Sequence, residues 1–212
     1  MVRIAGDKTD AHWHAFKSSL IVGATPDLWD QAFNDYFYER LETRYLKPIQ
    51  MVQSKRNAEY GGEGFAIVTI QCSLIEFLET TVQGTSFRLL QPGDPPLGPF
   101  EYTLGRSGAI FRSFLRNRHP FCTLFSTDAL ADDFYASVRC GLLHEARTKN
   151  NWVIRAGGRK GSFVEITPTE KIIYRNRFQD ALVIFIESYR TNLLQNQGMQ
   201  EALIRKIDSL CV

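Results

Sequence analysis

This chain of 212 residues has little excess of either charge: 25 basic residues stand against 23 acidic ones, for a net charge of +2. That balance excludes a protein that coats nucleic acid by bulk positive charge, so any contact with a polyanion must be local. Cysteine is scarce and scattered: Cys72, Cys122, Cys140 and Cys211 form no Cys-x-x-Cys pair and no Cys/His grouping. Neither a disulfide framework nor a zinc site is spelled out, and reduced thiols in a cytoplasm are expected. Long apolar runs are missing too. Leu20 to Val22 is too short for the core of a signal peptide, and no later run suggests a membrane span. The expectation is a soluble, cytoplasmic protein with no membrane contact. Repeats and low-complexity segments are also absent. What is present is apolar and aromatic material, 44% and 12% of residues, enough to bury one sizeable core.

The pattern along the chain predicts a mainly α protein, a helical bundle with a small antiparallel sheet. Residues 1–24 are expected to form an N-terminal arm, and 25–212 a helical domain with a β-hairpin insertion at about 151–175. His12 and His14 in the arm lack a third ligand, so no metal site is assigned to them. Thr25-Pro26-Asp27 opens a helix, with Thr25 as N-cap and Pro26 in the first turn, whose buried stripe runs from Leu28 to Tyr45 and stops before Pro48. Gln50 to Gly64 is polar and is expected to be a loop. Its Gly61-Gly62-Glu63-Gly64 cluster lacks the Gly-Lys-Ser/Thr ending of a P-loop, and no strand precedes it.

A second helix over 65–83 carries Ala66, Ile67, Ile70, Leu74, Phe77, Leu78 and Val82 at helical spacing, with Gly84 as its stop. Its Glu76 and Glu79 are expected on a solvated edge, with Glu76 able to approach the next long helix if the two lie side by side. After a Pro/Gly loop at 91–99, a short helix over about 107–118 turns Ile110, Phe111, Phe114 and Leu115 inward. It leaves Arg112, Arg116, Arg118 and His119 either as a phosphate-contacting patch or as an ordinary basic helix end. Beyond residue 150 the period turns to alternation. Trp152–Arg155, a glycine-rich turn at 157–161, Phe163–Ile166 and Lys171–Tyr174 predict the sheet, with Arg155, Arg159 and Lys160 at a hairpin tip. A helix at about 176–196 and a short amphipathic tail at 199–210 close the chain.

The segment from Asp128 to Lys149 holds the most informative chemistry. It has no proline and a single glycine, and Leu130, Phe134, Val138 and Leu142 form an apolar stripe. Arg139 and His144 fall at the two edges of that stripe, roughly 140° apart at about 100° per residue. The face they flank carries Ala129, Ala136, Cys140 and Leu143, with Asp133 and Arg147 as its only charges. So apolar a face predicts a cover, and a second copy of the chain in a symmetric dimer would bring two Arg/His pairs to one cleft. A guanidinium holds phosphate oxygens through a planar fork, and an imidazole moves protons near neutral pH.

The stretch Phe134-Tyr135-Ala136-Ser137-Val138-Arg139-Cys140-Gly141-Leu142-Leu143-His144-Glu145-Ala146 resembles the signature helix of the HEPN family, in which an Arg is followed by four to six residues and a His. The resemblance covers about Ala66 to Lys149. It implies a dimeric helical bundle and, in many members, a metal-independent endoribonuclease of toxin–antitoxin, phage-defence or RNA-processing systems. By position it implies Arg139 and His144 as the catalytic pair. Cys140, Arg147, Glu76 and Arg116 are further candidates for contacting substrate, and no cofactor or metal is implied. RNA, a second copy of the chain and an antitoxin protein are the implied partners. Cys140 stands where the family usually has a polar residue. Two alternatives stay open: a noncatalytic HEPN-like dimer that binds RNA, a nucleotide or a protein, and a helical structural module with an accidental motif.

Overall fold

The computed structural model describes residues 2–54, 61–157 and 161–211. Among them are seven helices and three small sheets. In chain order the elements are β1 (Arg3–Ala5), β2 (Lys8–Thr9), α1 (Asp10–Lys17), α2 (26–54), α3 (Glu63–Gln83), β3 (Ser86–Phe87), β4 (Glu101–Tyr102), α4 (Ser107–Asn117), α5 (128–145), β5 (Trp152–Arg155), β6 (Val164–Ile166), β7 (Lys171–Tyr174), α6 (Arg175–Leu193) and α7 (Gln197–Asp208). The residues gather into two compact units: Met1–Pro48, Phe77–Ser107 and Glu187–Val212 in the first, Ile49–Glu76 and Gly108–Ile186 in the second. Residues 1–24 belong to the first unit, where Ile4, Ala5 and Trp13 are buried.

The first unit is centred on aromatic rings. Phe33, Phe37, Phe77 and Tyr189 meet at centroid distances of 5.1 to 6.4 Å, and Trp13 donates its indole N–H to Asp208 at 2.7 Å. His12 is accounted for locally. Its Nδ1 accepts from the Thr9 backbone N–H at 3.1 Å and caps α1. Helix α2 starts at Pro26 as expected, but Thr25 sits in the left-handed region (φ 53°) and its hydroxyl caps nothing.

The expected stop before Pro48 does not occur, because α2 continues to Ser54. Of two wide π turns, at Phe33–Tyr38 and Glu42–Leu46, the second opens the coil just ahead of the proline, where its ring would otherwise clash with the preceding turn. The loop expected over Gln50–Gly64 is therefore helical at both ends, and 55–60 lie outside the described residues. Helix α3 ends at Gly84 (φ +64°), where the Ala202 Cα would lie 2.7 Å from an added Cβ, so chain direction and packing both require glycine. By length and mean hydropathy, 1.4 over its most apolar window, α3 matches a bilayer span, contrary to the expectation that no run does. It is a core helix, with 56% of that window buried inside the protein. Glu79, expected at a solvated edge, is fully buried and accepts from Gln83 Nε2 at 2.7 Å.

The second unit packs around Phe134 of α5, whose ring lies against those of Phe111, Phe125, Trp152 and Phe178 at 5.1 to 6.0 Å. The spacing of four between Leu130, Phe134, Val138 and Leu142 would drift around a regular α-helix. A π turn at Tyr135–Cys140, which takes more residues per turn, keeps the stripe together. The sheet after α5 is mixed in direction, which corrects the expected antiparallel hairpin. The strand order is β5-β7-β6, with β5–β7 parallel and β6–β7 antiparallel. β7 takes the centre because Ile172, Ile173 and Tyr174 are all buried, a continuous run that suits a strand covered on both faces. The tight turn at 167–170, closed by Thr167 and Glu170, joins β7 to β6. Of the expected hairpin-tip cations, Arg155 pairs with Glu170 at 2.7 Å, and Arg159 and Lys160 lie outside the described residues.

Asp133, expected on the outward face, instead ties α5 to the returning chain and the sheet. It accepts from Ser137 Oγ at 2.7 Å, Asn150 Nδ2 at 3.2 Å, Trp152 Nε1 at 2.9 Å and Lys171 Nζ at 2.6 Å. Partial burial opposes its charge, but the four donors prevail and hold the carboxyl down at about 2. After Glu145 the chain reverses at Ala146 (φ 52°) and returns along α5, with Lys149 N–H donating to the Ser137 carbonyl at 2.9 Å. The Arg147 carbonyl lies 2.5 Å from where a Cβ on Gly141 would stand.

These contacts set the response of stability to substitution and to pH. Gly141→Ala gains helix propensity yet destabilises by roughly 1–3 kcal/mol, because the returning backbone must move; thermal melting shows a lower Tm. A folded-state pKa below the unfolded value of 3.8 means that Asp133 stabilises fully above pH 4, and that this contribution fades as pH falls towards 2. Asp133→Asn therefore costs roughly 2 kcal/mol at pH 7 and flattens the acid limb of a Tm-against-pH curve; an unchanged limb would assign acid sensitivity to other carboxylates.

Candidate functional site

The candidate site lies on α5 and the facing part of α3, within the second unit. Arg139 occupies the π turn, where its side chain is 19% exposed, and its Nη2 donates to Glu76 Oε2 at 3.2 Å, the carboxylate being 18% exposed. The Tyr135 ring lies four residues earlier on the same face, with its centroid 5.5 Å from the guanidinium carbon. Burial alone would weaken the Arg139 charge, but the adjacent Glu76 carboxylate outweighs it and raises the pKa. Arg139 is thus a fixed cation with one edge committed.

Two thiols and a phenol surround the pair. Cys72, one turn before Glu76 on α3, is buried, and that burial pushes its thiol pKa up against the pull of Arg139. Tyr135 is also raised, first by burial and then by the neighbouring Cys140. Cys140 is half-buried. These groups cluster around one permanent positive charge, that of Arg139.

His144 lies in the last turn of α5 and is exposed. Elsewhere on the outward face of α5, Ala129 and Ala136 are exposed, and Leu143, next to His144, is 47% exposed. The structure brings Glu76 to Arg139. It brings Arg147 to Glu145 instead, at 3.0 Å and in the open, and ties Arg116 to Asp128 and to the Phe125 carbonyl, both at 2.9 Å. Arg112 is likewise paired with Asp132 at 2.7 Å. Two members of the expected basic patch therefore brace α4 against α5.

Tyr135 is not among the candidates that the sequence singles out, although its position four residues before Arg139 is the spacing at which a ring can lie under a guanidinium. Among the described residues no group of three or more His, Cys, Asp or Glu side chains comes together as a metal site requires, and all four cysteines are free. No family model, curated protein or solved structure matches this chain.

Proposed function

We propose that this chain is an endoribonuclease of the HEPN type, acting as a homodimer and needing no metal. The observation that carries the reading is the presence on one helix of a positioned, largely buried Arg139 and an exposed His144. The uncovered Ala129, Ala136 and Leu143 surface supports self-association along the same helix, and an antitoxin protein is a further partner consistent with the family. In the proposed reaction a base takes the proton of a ribose 2′-hydroxyl. That oxygen attacks the adjacent phosphorus, and the 5′-oxygen of the next nucleotide leaves with a proton from an acid. Two copies of His144 in one cleft would divide the base and acid roles, and Arg139 would stabilise charge growing on the phosphate oxygens. DNA lacks the attacking hydroxyl.

The alternative is a noncatalytic HEPN-like dimer that binds RNA, a nucleotide or a protein. It draws support from the Glu76 contact, which already engages the Arg139 guanidinium.

Labelled single-stranded RNA incubated with purified protein in EDTA separates the two readings. Cleavage by the wild type, no cutting of the matching DNA, and a fall of roughly 10² to 10⁴ in Arg139→Ala and His144→Ala are expected. Cleavage abolished by EDTA, or equal cutting of DNA, refutes the mechanism, and intact RNA points to the binding protein. Light scattering provides a second check: Leu143→Asp should convert a dimer to a monomer and abolish cleavage with little change in Tm, since Leu143 is on the surface.

A further inference from the structure

We infer that Glu76 is a positioning residue for Arg139, fixing the direction of its guanidinium at the cost of part of its attraction for phosphate; the inference rests on the proposed role of Arg139. Two contacts restrain the group. The Glu76 carboxylate holds it edge-on through Nη2, and the Tyr135 ring restrains its plane. Arg139 makes no other hydrogen bond among the described residues, so its Nη1 and Nε donors keep a defined direction and remain free for a ligand. The same geometry removes Glu76 from the set of substrate contacts, because a carboxylate in contact with the guanidinium repels an approaching phosphate. With both side chains more than four-fifths buried, that repulsion is poorly screened.

Orientation and affinity therefore respond to Glu76 with opposite signs. Removing the negative charge leaves Arg139 a stronger but less well-directed anion binder, so binding tightens while the chemical step slows. An ion pair that served only stability would lower Tm and would not produce this split.

The experiment compares wild type, Glu76→Gln, which keeps an acceptor without the charge, and Glu76→Ala, which keeps neither. Binding is measured with a labelled 2′-deoxy oligonucleotide, which the proposed reaction cannot cut, and the chemical step by single-turnover cleavage of the matching RNA; Tm is recorded for each variant. Both variants should bind the deoxy oligonucleotide about three- to tenfold tighter, and a second substitution, Arg139→Ala, should abolish the gain. The single-turnover rate should fall roughly tenfold in Glu76→Ala and less in Glu76→Gln. Unchanged binding in both variants overturns the inference, as does a parallel loss of affinity, rate and Tm. If wild type cuts no RNA, the endoribonuclease reading fails separately. The binding comparison then decides Glu76 alone: tighter binding that depends on Arg139 upholds its restraint of the guanidinium, and equal binding refutes it.

Discussion

The second unit depends on two consecutive residues of α5, Asp133 and Phe134. The Phe134 ring occupies the centre of the aromatic core and touches four other rings, which sets how α5 rolls about its axis. Asp133 collects four donors from its own helix, the returning chain and the sheet, which resists sliding along that axis. A helix held against both rotation and translation presents its later residues in fixed directions. Arg139 lies further along, within the π turn, and reaches Glu76 with no long or flexible segment between it and these anchors.

Charge is arranged in keeping with the near-neutral composition. Arg112, Arg116 and Arg155 each face a carboxylate, so their positive charge is largely compensated locally and adds little attraction for a polyanion. Arg139 is also paired, but its partner takes one edge of the guanidinium and a ring lies beneath it. In the proposed function the remaining donors of Arg139 would face one phosphate. The proposed reaction needs no nucleophile from the protein, since RNA carries its own, and His144 would handle the protons.

Much of the helical framework is legible in the sequence because helical spacing of apolar residues is a local property. Phe178, Ala181, Leu182, Phe185 and Ile186 of α6 are all buried as their spacing requires, and Gly84 ends α3. The departures have local causes as well. Pro48 is a strong breaker in a regular helix, but a π turn ahead of it removes the clash. The charge of Glu79 argues for solvent, yet the residue is buried with Gln83 as one hydrogen-bond donor. Strand order is harder to read because adjacency along the chain suggests that β5 pairs with β6, whereas the unbroken apolar run of β7 is the signal for a central strand.

The sequence by itself determined the helical class, the stripe that buries α5 and the placement of Arg139 and His144 on one helix, since these depend on spacing along a single segment. Only the tertiary structure decided that Asp133 is an anchor and that Glu76, 63 residues earlier than Arg139, lies within hydrogen-bonding distance of its guanidinium. Such contacts join segments remote in sequence. They depend on how whole helices pack, and helical periodicity specifies which face is buried without specifying which neighbour covers it.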